Sequence, residues 1–447
     1  MQWIPRVALF ADTFYEVNGA ARTCREWDAY ARRKRLPWFV ARCGKPPGGG
    51  FAQPADGVEI SRGRLAFAVD ADLRFDPLFH RHLAAVERAL LAFAPDVVHL
   101  TSPGDLGILG AVAAARLRVP LALSWHTNLH EFAARRAAKA MRWFSARAAE
   151  GTAAAIERFV LDRVVWFFGR GDLIFAPNAG LIEMLRRRTG KPVFAMARGV
   201  DTELFHPGRR DRRDPDIVVG YTGRLEPEKN VRFLARLADY LHRERVGQVR
   251  FSIVGGGSER EWLEKAIPNA TFAGVLTGEA LARAYSNMDV FVFPSRTDTF
   301  GNVVQEALAS GVPAVVTDAG GPRFIVDHGT TGWVAANDDE LCRYALHLVV
   351  DGAARARMSE AACRQMKTRS WEGVFDAVYE GYRQVLGPYG AVSPKSAKAS
   401  RSAERTEPLL REARRPFINP TKFRMTAGSR PEVHSSDTER IEPSSQR

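Results

Sequence analysis

The chain alternates between short apolar runs and longer segments in which apolar residues recur at helical spacing. The apolar runs end close to Gly, Ser, Thr, Asn or Asp, which is typical of strands that meet a loop. Because such strands must be buried on both faces, the pattern predicts parallel sheets covered by helices. The predicted strands are Arg6–Asp12, Pro37–Cys43, Asp96–Thr101, Leu121–His126 and Leu173–Pro177 in a first series, and Ile217–Thr222, Arg250–Val254, Asp289–Pro294 and Pro313–Thr317 in a second.

Two such series in tandem predict an α/β protein with two doubly wound domains. The pattern breaks at Val200–Pro215, a polar and charged stretch that we interpret as the linker. The amphipathic segment Trp371–Leu386 predicts a last helix whose apolar stripe docks on another part of the protein. From about Gly390 onward polar and charged residues dominate, which predicts a disordered basic tail. We therefore expect domains at 1–200 and 201–370, a helix at 371–389 and a tail at 390–447.

Composition narrows the class of protein. With 447 residues, 46% of them hydrophobic, the chain is long enough for two or three domains with sizeable cores. Its four cysteines show neither metal-binding nor disulfide spacing, so we expect reduced thiols. We find no secretory signal and no uncharged apolar stretch of about 18 residues. These features predict a cytoplasmic protein that is soluble or bound at the inner face of the plasma membrane.

The formal net charge of +13 leaves several partners open. Nucleic acid, anionic lipid and phosphate-bearing substrates all attract a basic protein, and a coding bias toward Arg gives the same balance without a partner. Residues 391–447 contain twelve Lys or Arg against seven Asp or Glu, so part of the excess lies in the tail. Because no basic recognition signature is present, we expect no nucleic-acid partner. Phe132–Arg147, in which basic and aromatic residues alternate, fits either a helix at an anionic membrane surface or an ordinary solvated helix.

Ligands of open parallel sheets bind at the carboxyl ends of the strands, so the residues that follow strands are informative. Gly223–Asn230 (GRLEPEKN) follows the first strand of the second series, and we expect a helix to begin near Asn230. Arg224 and Lys229 would then flank a helix N-terminus, where free N–H groups and the helix dipole favour an anion. Two cations at this place predict a diphosphate site. Solvated surface charges are the alternative.

The next strand runs into Gly255-Gly256-Gly257, which permits close approach of a phosphate or a base but also caps many sheets. This run is not the GxGxxG fingerprint, and that fingerprint follows the first strand of neither series. A nicotinamide-dependent dehydrogenase is therefore disfavoured.

The strand that ends near Pro294 carries the most specific pattern. Asp298 lies in the following loop, and Glu306 lies eight positions later in the next helix. Two carboxylates so placed can accept hydrogen bonds from the hydroxyls of one sugar-containing ligand. The N–H groups of Phe300–Asn302 open the helix between them and suit a phosphate. The alternative is that Asp298 caps the helix and Glu306 is solvated.

The order GRLEPEKN, VGGG and SRTDTFGNVVQEALASGVPAVVTDAGGP resembles the retaining GT-B glycosyltransferases of family 4. The strings ADTFYEVNGA and SWHTNLHEF resemble the branch that contains mannosyl- and sulfoquinovosyltransferases of glycolipid synthesis. The resemblance spans roughly residues 5–386. It implies two Rossmann-like domains that face each other across a cleft, with a C-terminal helix that crosses back to the first domain. It also implies transfer of a hexose-type sugar from GDP-mannose or a UDP-sugar to a lipid or glycan acceptor, with retention of configuration.

The resemblance assigns roles to individual residues. Glu306 would bind the ribose hydroxyls, and Asp298, where family members often have Glu, would hold the transferred sugar. The catalytic group would be His126, Asp298 and Glu306. The donor diphosphate would contact Arg224, Lys229, Gly19, Phe300, Gly301 and Asn302, while Asn18 and Gly19 would lie on the acceptor side.

No cofactor and no catalytic metal are expected, since cations and a helix end balance the phosphate charge in GT-B enzymes. The one DxD motif, Asp70-Ala71-Asp72, follows no predicted strand, and we interpret it as part of a loop. A sugar-nucleotide epimerase or a phosphorylase of similar architecture is the alternative within enzymes. A basic nucleic-acid-binding protein, with the tail as its working part, is the alternative outside them.

Overall fold

The computed structural model describes residues 3–16, 18–44, 50–68, 74–131, 134 and 146–387. The DxD motif at 70–72, nearly all of the basic segment at 132–147 and the tail at 390–447 lie outside the described residues. The described part contains two large sheets and one small hairpin of two-residue strands.

The first sheet has eight strands in the order β10-β9-β8-β7-β1-β2-β4-β3. Every neighbouring pair is parallel except β3 with β4, and Val7 of β1 lies opposite both Trp38 of β2 and Val97 of β7. All five predicted strands are present. The five further strands of this domain, Phe51–Ala52, Gly57–Ile60, Phe67–Ala68, Arg74–Phe75 and Val193–Ala195, were not predicted. The strands are β1 Val7–Ala11, β2 Trp38–Cys43, β3 Phe51–Ala52, β4 Gly57–Ile60, β7 Val97–Leu100, β8 Leu121–Ser124, β9 Leu173–Ala176 and β10 Val193–Ala195, with β5 Phe67–Ala68 and β6 Arg74–Phe75 in the hairpin.

Helices cover both faces of this sheet, as strands with fully buried residues require. One apolar core joins Phe10 and Leu100 to Leu106 and Val165, and another joins Val7 and Trp27 on the opposite face. The helices are α1 Gly19–Arg33, α2 Leu83–Phe93, α3 Asp105–Leu117, α4 Ala146–Phe168 and α5 Ala179–Thr189.

The second sheet has six strands, all parallel, in the order β13-β12-β11-β14-β15-β16. A single apolar core surrounds it, and residues of the four predicted strands lie at its centre. The strands are β11 Ile217–Thr222, β12 Val249–Val254, β13 Thr271–Gly274, β14 Val290–Phe293, β15 Ala314–Thr317 and β16 Gly332–Ala335. The helices are α6 Phe233–Arg243, α7 Arg260–Ala266, α8 Gly278–Ser286, α9 Asn302–Ala309, α10 Asp338–Val350 and α11 Gly352–Lys367.

The helix predicted to begin near Asn230 begins three residues later, and this prediction was wrong. Pro227–Lys229 forms a 3-10 turn, and Asn230 closes it in the left-handed region at φ 54°. Pro fixes the φ of the first turn residue and Asn tolerates the left-handed region, so the local sequence favours a turn. Arg224 and Lys229 therefore flank a turn rather than the N-terminus of an α-helix.

The last helix, α12 (Trp371–Leu386), packs against the first domain as predicted. Phe375 stacks on Trp27 with ring centroids 5.4 Å apart, and the Tyr382 hydroxyl lies 2.7 Å from Nδ1 of His99. The chain thus crosses between the domains twice, near residue 200 and near residue 370. Among the described helices, none has the length and apolar character needed to span a membrane.

Candidate active site

The strand order of each sheet reverses at one point, and ligands of doubly wound sheets bind there. In the first sheet the reversal lies between β1 and β7, and in the second it lies between β11 and β14. The loops that leave these strands include Asn18 and Gly19 in the first domain and Gly223–Asn230 and Pro294–Gly301 in the second. These predicted residues thus lie where the topology creates a crevice, whereas His126 follows β8 and Glu306 lies within α9.

Three contacts join the two domains beside these loops. A Cβ atom on Gly19 would lie 3.3 Å from Nδ2 of Asn302, so the start of α1 lies against the start of α9. The Asn178 side chain donates a hydrogen bond of 3.0 Å to the carbonyl oxygen of Thr299. The guanidinium of Arg22 forms an ion pair with the carboxylate of Glu306. The two crevices therefore form one cleft.

Lys229 and Asp298 form an ion pair of 2.8 Å between the loops after β11 and β14. Their side chains are only 14% and 21% exposed. The second oxygen of Asp298, Oδ2, is buried and has no hydrogen-bond partner within the described part of the chain. Since a buried carboxylate oxygen without a partner is costly, this atom is suited to accept a hydrogen bond from a ligand.

Arg224 lies farther out. Its side chain is half exposed and pairs with Glu228, four residues along the chain, at 3.0 Å. The Tyr221 hydroxyl donates to the Arg224 carbonyl oxygen at 3.0 Å and fixes the backbone of the loop. Lys229 is therefore the better enclosed of the two predicted phosphate ligands.

The glycine run after β12 has a packing role. A Cβ atom on Gly255 would overlap the carbonyl oxygen of Gly223, and one on Gly257 would overlap that of Leu225. Gly255 and Gly257 also have φ of 138° and 155°, which disfavour other residues. These two glycines let the loops after β11 and β12 pack backbone to backbone, so their presence in the VGGG string has a structural reason.

The turn Phe300–Asn302 begins α9, as predicted. Gly301 caps the helix with φ 103°, a conformation that favours glycine, and the first N–H groups of the helix have no partner within it. The Gly321 N–H donates a hydrogen bond of 2.6 Å to the carbonyl oxygen of Asp298 and holds this loop. The turn that carries these N–H groups thus begins two residues after Asp298 along the chain.

His126 follows β8 and makes a hydrogen bond through each ring nitrogen. Arg198 donates to Nδ1 at 2.9 Å. A guanidinium has no acceptor, so Nδ1 must be unprotonated. Nε2 must then carry the hydrogen, and it donates to Oγ of Ser124 at an N···O distance of 2.6 Å. Burial, and next the charge of Arg198, hold the pKa of His126 well below its usual value. His126 is therefore a neutral imidazole fixed in one tautomer.

Arg198 is a candidate site residue that the sequence analysis missed. It is 3% exposed, donates to the carbonyl oxygen of Met196 at 2.9 Å and lies 5.9 Å from the ring of Phe300. Burial lowers the pKa of Arg198 to about 10, so it remains charged at neutral pH. The signal was its position just after β10, but β10 has only three residues and was not recognised as a strand.

Glu306 is almost fully enclosed, with Arg22 on Oε1 and the Tyr285 hydroxyl on Oε2 at 3.0 Å. Burial raises the pKa of Glu306, and its charge contacts with Arg22 oppose that rise. Glu306 was predicted to lie in the site, whereas Arg22 and Tyr285 were not. Arg22 follows Gly19 by one helical turn, which is the signal that could have identified it.

Asn18 caps α1 by accepting a hydrogen bond of 2.9 Å from the Ala21 N–H. Its predicted role on the acceptor side stays a prediction, because the hydrogen bond that its side chain makes among the described residues is this helix cap. Among the described residues, no group of three or more His, Cys, Asp or Glu side chains could hold a metal ion.

Two family models cover most of the chain. Residues 17–204 match the model described as Glycosyltransferase Family 4, and residues 216–351 match Glycosyl transferases group 1. The chain is 36% identical to the GDP-mannose-dependent alpha-mannosyltransferase of Mycobacterium tuberculosis over 86% of this chain and 97% of the relative. It is 38% identical to the protein of that name from Mycolicibacterium smegmatis over 86% of this chain and 98% of the relative.

Solved structures share the architecture at much lower identity. Sucrose-phosphate synthase from Thermosynechococcus elongatus aligns with a TM-score of 0.62 at 18% identity, over 85% of this chain and 98% of that one. The two sheets facing one cleft are the GT-B arrangement. On this sequence and structural evidence, the protein is an enzyme that belongs to the family 4 glycosyltransferases.

Proposed function

We propose that the enzyme is a GDP-mannose-dependent α-mannosyltransferase that transfers mannose to a lipid or glycan acceptor with retention of configuration. The observation that carries this proposal is the 36% identity, over nearly the full length of both chains, to a GDP-mannose-dependent alpha-mannosyltransferase. The sugar of GDP-mannose is α-linked, so an α-mannoside product means retention.

In this proposal Lys229 and Arg224 neutralise the diphosphate, together with the N–H groups of Phe300–Asn302. Lys229 contributes more because it is enclosed by protein, whereas Arg224 is half exposed. Charge-assisted hydrogen bonds are stronger in a partly desolvated cleft than in water. The leaving GDP therefore gains its stabilisation where negative charge develops.

Asp298 and Glu306 hold the two sugars of the donor. Asp298 Oδ2, which is buried without a partner among the described residues, accepts from a mannose hydroxyl. Glu306 accepts from the ribose hydroxyls. These contacts fix the anomeric carbon relative to the acceptor, and positioning of this kind accounts for a large part of catalysis in transfer reactions.

His126 is a positioning group in this proposal and not a base. Both of its ring nitrogens are engaged, and its pKa lies far below neutrality. The bond between the anomeric carbon and the phosphate oxygen breaks, and the acceptor oxygen forms the new bond on the same face. The acceptor proton passes to the leaving phosphate. Arg198 supplies a buried positive charge at this end of the cleft.

The test is to incubate the enzyme with GDP-mannose, UDP-glucose and ADP-glucose in turn, with lipid and glycan acceptors in separate arms. We expect transfer from GDP-mannose and an α-mannoside by NMR. Faster transfer from either other donor would contradict the donor assignment, and a β-linked product would contradict retention.

Metal independence is part of the same proposal, because Arg224, Lys229 and the start of α9 supply the positive potential at the diphosphate. Activity should survive dialysis against EDTA. A complete loss that Mn²⁺ or Mg²⁺ restores would instead indicate a metal site, with Asp70 and Asp72 as the first residues to substitute.

A further inference from the structure

The ion pair between Arg22 and Glu306 connects the first domain to the residue proposed to bind the ribose. Arg22 is the fourth residue of α1, and its side chain is 28% exposed, whereas that of Glu306 is 6% exposed. When a buried carboxylate loses its cationic partner, its charge is left uncompensated and the ionised form becomes strongly unfavourable. The state of Glu306 therefore depends on a residue of the other domain.

The contacts leave the carboxylate with the capacity that a ribose needs. An ionised carboxylate offers about four lone-pair sites. Arg22 takes one at Oε1, and the Tyr285 hydroxyl takes one at Oε2, 3.0 Å away. About two sites remain, which is the number that two adjacent ribose hydroxyls require.

We propose that Arg22 is a positioning residue for the donor, which holds Glu306 as a fixed, ionised acceptor for the two hydroxyls of the ribose. This inference rests on the proposed ribose contact of Glu306. It makes nucleotide recognition by the second domain depend on the presence of α1 from the first.

The groups around Glu306 support a dominant role for the charge of Arg22. Burial raises the pKa of Glu306, while Arg22 and, more weakly, the hydrogen bond from Tyr285 lower it. Glu26, one turn beyond Arg22 on α1, raises the pKa of Arg22 through its negative charge and so favours the charged guanidinium. From α11, Cys363 reaches the carbonyl oxygen of Ala309 at the other end of α9. The strands β14 and β15 beneath α9 consist of buried residues that are apolar except for Thr317.

The experiment is titration of wild type and Arg22→Gln with GDP from pH 6 to pH 9. In the variant the pKa of Glu306 rises, so the ionised acceptor is lost as the pH falls. We expect the variant to bind GDP about tenfold or more weakly than wild type at pH 6 and to approach wild type at pH 9. Because the ratio of the two affinities is compared, the phosphate titration of GDP itself cancels.

Two further variants test charge and specificity. Arg22→Lys retains the positive charge and should keep most of the GDP affinity at every pH. Arg33→Gln removes an exposed guanidinium from the last turn of the same helix and should match wild type. A pH-independent loss in Arg22→Gln, or no loss, would overturn the inference.

The double variant Arg22→Gln/Glu306→Gln buries no unpaired carboxylate, so it remains informative even where Arg22→Gln does not fold. It should bind GDP no more weakly than Glu306→Gln alone, because Arg22 acts through Glu306. A further tenfold loss in the double variant would show that Arg22 acts on the nucleotide directly. If wild type itself does not bind GDP, the proposed function fails. If wild type binds GDP and Arg22→Gln matches it at every pH, this inference fails alone.

Discussion

Lys229 and Asp298 form an ion pair in the cleft, so substitution of either residue leaves the charge of the other without its partner. Asp298→Asn releases Lys229 for the diphosphate while it weakens the hold on the sugar. We expect GDP binding to be unchanged or a few-fold tighter. The kcat should fall by about tenfold or more, because a misplaced sugar loses its attack geometry. Calorimetric titration with GDP, alongside steady-state kinetics, measures both.

Two variants of neighbouring residues are the controls. Lys229→Ala should weaken GDP binding by about 2–4 kcal/mol through loss of a charge-assisted phosphate contact. Glu306→Gln should mostly raise the KM for the donor and weaken GDP binding, since ribose does not react. If Asp298→Asn weakens GDP binding as much as Glu306→Gln does, the sugar and ribose assignments are wrong.

His99 makes the stability of the first domain depend on pH. It is completely buried, and burial lowers its pKa from 6.5 to about 3. Between these values the unfolded chain binds a proton that the folded chain does not, so unfolding becomes easier as the pH falls below about 6.5. The slope reaches about 1.4 kcal/mol per pH unit for this one group.

Urea unfolding of wild type and His99→Gln at several pH values measures this effect. The variant should be less stable at pH 7, because the hydrogen bond with Tyr382 is disturbed. Since Gln does not titrate, the difference between the two proteins should shrink as the pH falls toward about 4.5. A difference that stays constant with pH would mean that His99 is not neutral in the folded protein.

At the scale of elements, α12 completes the core of the first domain although it follows the second in sequence. Phe375 is completely buried and lies between the rings of Trp27 and Trp371. Phe375→Ala should cost about 3–5 kcal/mol of stability. Glu372→Ala on the same helix removes an exposed ion pair with Lys34 and should cost at most about 1 kcal/mol.

Two shortened chains test the same point by thermal unfolding. A chain that ends at Gly387 should fold and remain active. A chain that ends at Arg369 exposes the α1 face around Trp27, so its first domain should no longer show a cooperative unfolding transition. Equal unfolding temperatures for the two chains would contradict the docking of α12.

The sequence predicted elements where one local pattern decided the outcome. The central strands, such as β1 and β14, were found because both of their faces are buried and their residues are almost all apolar. The short or outer strands β10, β13 and β16 were missed, since strands of three or four residues with mixed composition give no periodic signal. The helix at Asn230 was misplaced because a proline turn intervenes.

The site divides in the same way. Lys229 and Asp298 were identifiable because each follows a strand of a parallel sheet, and topology alone brings such residues to one edge. Arg22 and Arg198 reach the cleft by other routes: one from the face of a helix in the other domain, the other after a strand of three residues. Contacts between residues almost three hundred positions apart depend on how two domains pack, and no local pattern records that.

For the whole molecule, the relation between the domains depends on two chain crossings that lie side by side. The Val200 N–H donates a hydrogen bond of 2.9 Å to the carbonyl oxygen of Arg369, which joins the outgoing crossing to the returning one. Gly199 lies so close to the return that an added Cβ atom would stand 2.5 Å from Cα and 2.6 Å from Cγ of Trp371. Any side chain at this position must push the two crossings apart.

Gly199→Ala is therefore expected to act on both domains at once. The φ of Gly199 is not in the left-handed region, so alanine is compatible with the backbone and the steric overlap with Trp371 is the cause of any effect. Overpacking of this kind costs about 1–3 kcal/mol. The unfolding temperature and the kcat should both fall, because the start of α12 shifts and the cleft loses its alignment. Gly247→Ala, where an added Cβ atom meets nothing within 4 Å, is the matched control. If Gly199→Ala has the same unfolding temperature and the same kcat as Gly247→Ala, the paired crossings do not set the geometry of the cleft.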